Sequence, residues 1–201
     1  MTKLIQRPPP RALFMFPLEM DLTPKVLRDV HTAYQMSKHG HADQVRDDGR
    51  RYFDHPKSVA WTYINEYGGR SRRIIIGILL HDMLEDSYLL TPYNIKRLFG
   101  VDITCDVRAM TKLAKGKETT EAYLQRIIAQ GPHAIADKLF DRLDNVRDLS
   151  GVTAEKRAVQ IAETKKYHLR LLVPALESCG GQWIDMSIWL KREIQKALMS
   201  Y

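Results

Sequence analysis

Apolar positions recur at helical spacing along this chain and are punctuated by Thr-Pro and glycine signals, a pattern that predicts a string of helices. Leu27, Val30 and Tyr34 follow one another at three- and four-residue steps, one stripe of a 3.6-residue period. Thr23-Pro24 stands just before them, a capping hydroxyl followed by a proline suited to the first helical position. Residues 40–54 are polar and carry Gly40 and Gly49, which predicts a loop, and Pro56 predicts the start of the next helix. Ile74–Leu80 is an unbroken apolar block that composition alone would allow as a buried strand. The segment around it runs from Ser71 to Ser87, longer than an ordinary strand, and is therefore read as helix.

Thr91-Pro92 opens a short helix that Gly100 ends, and Asp102 is expected to cap the next. Lys112–Lys117, with Gly116, reads as a loop, and a helix from Thr119 ends at Gly131 before Pro132 starts another. On that helix Ile135, Leu139, Leu143 and Val146 share one face, while Asp137, Asp141, Asn145 and Asp148 fall on a second. Thr153 to Glu177 reads as one long helix closed by Gly180-Gly181, and Trp183 to Met199 as the last. No hairpin signal and no repeat appears. The expected fold class is all-α, a single helical bundle over 23–201. Residues 1–22 are expected to form a Pro-rich extension, packed through Phe14, Phe16 and Leu18.

Composition narrows this picture. At 201 residues with 44% apolar and 27% charged positions, the chain is sized for one self-sufficient core. No apolar run is long enough for a transmembrane helix, and Pro8–Pro10, Pro17 and Glu19 interrupt any signal-like core. Cys105 and Cys179 are the two cysteines, so a disulfide framework is excluded and a reducing, cytoplasmic address is expected. A net charge of +7 suggests an anionic partner. The basic residues are dispersed as on an ordinary solvated surface, which argues against nucleic acid, and neither a nucleic-acid nor a membrane partner is expected.

Three clusters carry candidate chemistry. His81-Asp82-Met83-Leu84-Glu85-Asp86 places four ionisable groups directly after the apolar block. Read as helix, it makes His81 and Glu85, and Asp82 and Asp86, neighbours one turn apart. A solvated helix end is the plain alternative, but charges following a buried run call for a metal or a partner, and adjacent His and Asp offer mixed nitrogen and oxygen ligands. Asp141-Arg142-Leu143-Asp144-Asn145 puts a carboxylate and an amide on one face, able to complete a metal site and to bind a hydroxyl or a base, or equally to lie in solvent. The third cluster is Arg46 with Tyr52-Phe53-Asp54-His55-Pro56, where a histidine sits just before a helix-starting proline.

In order and spacing these segments resemble the HD-domain hydrolases of the RelA/SpoT type, and most of all the small stand-alone alarmone hydrolases. The resemblance rests on Arg46-x-x-Gly49-x-x-Tyr52-x-x-His55-Pro56-x-x-Val59-Ala60, on Leu79-Leu80-His81-Asp82-x-x-Glu85-Asp86, and on the run from Lys138 through Asp141-Arg142 and Asn145 to Leu149. Met110–Leu113, Glu163-Thr164 and Tyr167 also look like family segments, so the likeness spans about residues 25–176. It implies that His55, His81, Asp82 and Asp141 bind one divalent ion, usually Mn²⁺, and that Glu85 and Asp86 are the catalytic acids. It further implies that Arg46 packs on the nucleobase and that Asn145 contacts the nucleoside. The loop lysines Lys112, Lys115 and Lys117 are placed either to reach the 5′ phosphates or to serve as plain surface charges. The implied reaction removes pyrophosphate from the 3′ position of guanosine tetra- or pentaphosphate.

Two departures from the pattern bear on function. Asp47 stands where the family commonly has lysine, which brings 3′-pyrophosphorylated adenosine nucleotides, (p)ppApp, into the substrate range. The short stretch after Leu176 leaves no room for the synthetase domain of the bifunctional enzymes, so hydrolysis alone is expected, with a toxic alarmone synthetase as a conceivable functional neighbour. Two other readings stay open: a general HD phosphohydrolase of (deoxy)nucleoside mono- or triphosphates, and a non-catalytic nucleotide-binding regulator.

Overall fold

Thr23 caps the first helix as its sequence predicts, its hydroxyl accepting the N–H of Val26. The computed structural model describes residues 22–46, 49–86, 90–114 and 116–201. The expected packing of Phe14, Phe16 and Leu18 lies outside the described residues. In chain order the helices are α1 (Pro24–Gly40), α2 (Asp54–Trp61), α3 (Arg72–Leu80), α4 (Met83–Asp86), α5 (Pro92–Phe99) and α6 (Val101–Met110). There follow α7 (Thr120–Gln130), α8 (Pro132–Arg147), α9 (Ala154–Glu163), α10 (Val173–Glu177) and α11 (Gln182–Leu198). The fold is all-α: among the described residues the β features amount to one isolated bridge between Val45 and Arg51.

Helix starts follow the predicted chemistry. Thr91 and Asn94 form a reciprocal capping box at α5, and Thr119 and Thr153 accept the N–H of Ala122 and Lys156 at α7 and α9. Gly100 ends α5 at φ +100°, a conformation that favours glycine. Four expectations are corrected. The helix near Pro56 starts two residues earlier, at Asp54. Asp102 lies in the first turn of α6 rather than capping it. The long helix after Thr153 keeps its course but widens to π-type turns over Thr164–Leu172, as α2 does over Thr62–Glu66.

The fourth correction matters most for function. The segment from Ser71 to Ser87 is not one helix: α3 ends at Leu80, His81 and Asp82 form a turn, and α4 follows. The His81 side chain contributes to the break, its Nδ1 lying 2.8 Å from the carbonyl oxygen of Ile78. A side chain that satisfies a helix's last carbonyls competes with continuation of the helix.

Helix α8 is the axis of the bundle, packed against α2, α3, α6, α7, α10 and α11. On the face predicted to be polar, Asp137 and Asp141 are buried and Asn145 and Asp148 half-buried, and the neighbouring Lys138 is buried as well. Helix α3 is buried over its whole apolar block, Ile74–Leu80, each large side chain contributing about 1.5–3 kcal/mol of burial. The α3–α8 contact is close because Gly77 has no Cβ: a methyl group there would fall 2.0 Å from Asp137 Oδ2. No described helix is long and apolar enough to cross a membrane.

Candidate metal centre

His55 from α2, His81 and Asp82 from the turn after α3, and Asp141 from α8 converge on one point beneath a cleft. One ligand atom each from His55, His81 and Asp82 lie within 4.8 Å of one another. Asp141 Oδ1 is 3.0 Å from His55 Nε2 and 3.7 Å from His81 Nε2. The two histidine rings meet edge to face at 5.3 Å. Both histidines and Asp141 are buried, so the cluster holds its charges away from water.

The donor chemistry fits a divalent cation. His81 Nδ1 is occupied by the Ile78 carbonyl. Its Nε2 is buried with no hydrogen-bond partner, although carboxylate oxygens of Asp82 and Asp141 stand 2.9 and 3.7 Å away. A buried histidine nitrogen enclosed by two carboxylates forms the mixed nitrogen and oxygen set that first-row divalent ions take. A second sphere supports it. Asp144 Oδ2 is 2.7 Å from His55 Nδ1, the carboxylate–histidine arrangement that fixes ring orientation, and the Tyr52 hydroxyl donates to Asp82 Oδ2 at 2.8 Å. Tyr52 in turn stacks on His41.

Charge coupling within the cluster is strong. Burial pushes His55 down, but hydrogen bonds and charge from Asp141 and Asp144 outweigh it and raise the ring to about 9. Burial also opposes ionisation of Asp141, yet Lys138 and the histidines hold its carboxyl well below the ordinary range. Lys138 is buried, donates to Asp141 Oδ2 at 2.7 Å and lies over the ring of Tyr123.

The cleft above the cluster has a volume of about 440 Å³ and is lined by Arg46, Lys112, Lys138, Arg142, Asn145 and Lys156 beside Tyr52, Asp82 and Asp141. That size suits a small organic ligand, and its basic wall suits an anionic one. Arg46 Nη2 donates to Asn145 Oδ1 at 3.0 Å, and Asn145 Nδ2 donates to Asp141 Oδ1 at 2.6 Å. Glu85 sits beside the cleft rather than in its lining, its carboxylate accepting the backbone N–H of Lys112. Loss of water contact and repulsion from Asp82 raise the Glu85 carboxyl despite that bond and the nearby lysines. Asp47, Lys115 and the side chain of Asp86 lie outside the described residues. The loop residue Lys117 is exposed.

The structure thus brings His55, His81, Asp82, Asp141, Arg46, Asn145 and Lys112 to one cleft and leaves Glu85 at its edge. Sequence reasoning did not single out Tyr52 and Asp144 as supports of the cluster, nor Lys138 as its buried cation. Tyr52 and Lys138 stand inside the quoted motifs, but only the tertiary contact shows what each side chain touches.

No protein-family model matches the chain. Over 153 residues it is 36% identical to a guanosine-3′,5′-bis(diphosphate) 3′-pyrophosphohydrolase of Aquifex aeolicus, covering 74% of this chain and 22% of that protein. A protein of the same name from Spiroplasma citri is 31% identical over 148 residues, 69% of this chain and 19% of its own length. A GTP pyrophosphokinase of Streptomyces coelicolor is 33% identical over 154 residues, 72% of this chain and 18% of its own. The chain spans about a fifth of the length of these curated relatives. The fold matches a solved metazoan ortholog of SpoT that hydrolyses ppGpp, with TM-score 0.70 and 23% identity over 89% of this chain and 96% of that one. The resemblance carried by the three motifs is borne out.

Proposed function

We propose that the chain is a metal-dependent hydrolase that removes the 3′-pyrophosphate of alarmone nucleotides, (p)ppGpp and (p)ppApp, giving the nucleoside 5′-di- or triphosphate and pyrophosphate. The observation that carries this reading is the buried His81 Nε2 facing the carboxylates of Asp82 and Asp141 at the floor of a basic cleft. The relatives named for 3′-pyrophosphohydrolysis support the choice of substrate. The reading assigns His55, His81, Asp82 and Asp141 to one divalent ion, Mn²⁺ by preference. Such an ion acidifies a bound water and neutralises charge at the attacked phosphorus.

The chain's own residues do the rest. Arg46 is planar and always charged, suited to stack on the purine, and its bond to Asn145 joins the base and nucleoside contacts in one unit. Lys112 and Lys138 add positive charge where the phosphates lie. Hydrolysis forms a bond from water oxygen to the 3′-linked phosphorus and breaks the bond from that phosphorus to the ribose 3′-oxygen. Glu85, its carboxyl raised above the ordinary range, takes the proton from water and returns it to the departing 3′-oxygen. Asp86 follows it in sequence and is assigned the second acid role.

The test is a substrate panel with Mn²⁺: ppGpp, pppGpp, pppApp, dNTPs and NMPs, with products identified. Turnover of the 3′-pyrophosphorylated nucleotides and not of dNTPs or NMPs is expected. Preferred turnover of dNTPs or NMPs would establish a general HD phosphohydrolase instead, and tight binding without turnover a regulator.

A further inference from the structure

Arg142 and His168 are neighbours that the reading above leaves unused. Arg142 lies on α8 and lines the cleft. Its Nε is 3.1 Å from His168 Nε2, and neither terminal nitrogen has a hydrogen-bond or ion-pair partner among the described residues. His168 is buried in the π-type stretch Thr164–Leu172, and its Nδ1 is 3.4 Å from the carbonyl oxygen of Glu163, five residues back.

This geometry fixes the histidine's state. An arginine Nε–H can only donate, so Nε2 must present its lone pair and the ring proton must sit on Nδ1, where the Glu163 carbonyl accepts it. Burial and the charges of Arg142 and Lys138 act in the same direction, holding the ring neutral by keeping it well below its ordinary value. The bond to His168 restricts rotation of the guanidinium about its stem. Anchoring through Nε leaves the planar pair of terminal nitrogens for a ligand, and a phosphate presents two oxygens at matching spacing. A half-buried arginine without a carboxylate partner on the wall of a cleft has unmet capacity for an anion.

We infer that His168 is a positioning residue: it accepts the Arg142 Nε–H and so orients the guanidinium to grip the phosphates of the nucleotide in the cleft. The inference rests on the proposed function for the identity of the anion. The π-type turns over Thr164–Leu172 then have a task, because they carry the histidine that aims a side chain of α8.

The experiment measures ppGpp affinity by calorimetry on the full Mn²⁺-loaded chain carrying Glu85→Gln to suppress turnover, and KM and kcat on the otherwise unaltered enzyme. Arg142→Ala and His168→Leu should each weaken binding by about tenfold, the scale of one charge-assisted hydrogen bond. Combining them should weaken it no further than Arg142→Ala alone. His168→Gln, whose side-chain oxygen can take the place of Nε2 as acceptor, should stay within about threefold of the parent on the same scale. In turnover, His168→Leu should raise KM while leaving kcat unchanged, a split that general loosening of the fold would not give. Should His168→Leu fail to fold by circular dichroism, Arg142→Lys replaces it, keeping the charge without the Nε–H, and should bind as weakly as Arg142→Ala. Parent-like binding by His168→Leu, or by Arg142→Lys in its place, overturns this inference alone, as does full additivity with Arg142→Ala. Absence of ppGpp binding by the parent overturns the functional reading and this inference with it.

Discussion

Replacing Asp137 by asparagine should stabilise the protein at neutral and alkaline pH and leave it nearly unchanged in acid. Asp137 is 1% exposed in the middle of α8, and neither carboxylate oxygen has a hydrogen-bond partner. One oxygen occupies the space where any residue but glycine at position 77 would place its Cβ. Burial raises the carboxyl well above its ordinary value, with repulsion from Asp106 adding to the effect and Arg73 opposing it. A raised carboxyl is bound more tightly to its proton in the folded state, so its contribution is fully present below the unfolded value of about 3.9 and is lost as pH rises toward the folded one. The loss is at most about 1.4 kcal/mol per pH unit, and the cost of an unpartnered buried polar group, about 1–3 kcal/mol, sets the scale of the whole. Asparagine keeps the shape and does not titrate, so the other groups cancel in the comparison. Thermal unfolding of wild type and Asp137→Asn at pH 5 and pH 8, with chelator present in both, should show a gap that widens with pH. At pH 8 it should reach about 2–12 °C in favour of the variant, at about 2–4 °C per kcal/mol for a domain of this size. A gap independent of pH, or a variant less stable at pH 8, would show instead that the carboxylate has a partner in solution.

The remaining predictions concern the cleft. Purified protein should hold near-stoichiometric divalent metal by elemental analysis, and Asp82→Ala should lose it; full retention by His55→Ala would remove that histidine from the ligand set. Asp144→Asn should weaken metal binding by about 10–100-fold in a titration, as expected for a residue that orients a ligand ring. Glu85→Gln should keep its metal while kcat falls by roughly 10²-fold or more, and loss of metal on that substitution would make Glu85 a ligand. For the base, ppGpp and ppApp should be hydrolysed with comparable kcat/KM, and a strong guanine preference unaltered by Asp47→Lys would show that Asp47 does not face the purine.

Much of the fold was legible because its signals are local. A threonine hydroxyl reaches N–H groups two or three residues on, so Thr23, Thr91, Thr119 and Thr153 mark their helices without help from the rest of the chain. The candidate metal ligands were legible through the resemblance, and they do meet, although they come from three separate stretches of chain. What escaped reading depends on partners distant in sequence. Periodicity put Asp137 and Asp141 on a polar face, which usually means solvent. It could not show that Gly77 opens room for α8 to approach α3 and bury Asp137. The break at His81-Asp82 follows in part from a side chain turning back onto its own helix, an alternative that helical spacing does not register. The π-type widening at Thr164–Leu172 carries no composition signal, and with it the contact between His168 and Arg142 stayed hidden.

The proposed hydrolysis of a 3′-pyrophosphate bond depends on an ion held by His55, His81, Asp82 and Asp141. Phosphorus NMR of ppGpp incubated with the Mn²⁺-loaded protein tests it most directly. GDP and pyrophosphate should appear in equal amounts, and both should be abolished by chelator and by Asp82→Ala. Release of orthophosphate, or undiminished turnover by Asp82→Ala, would contradict it.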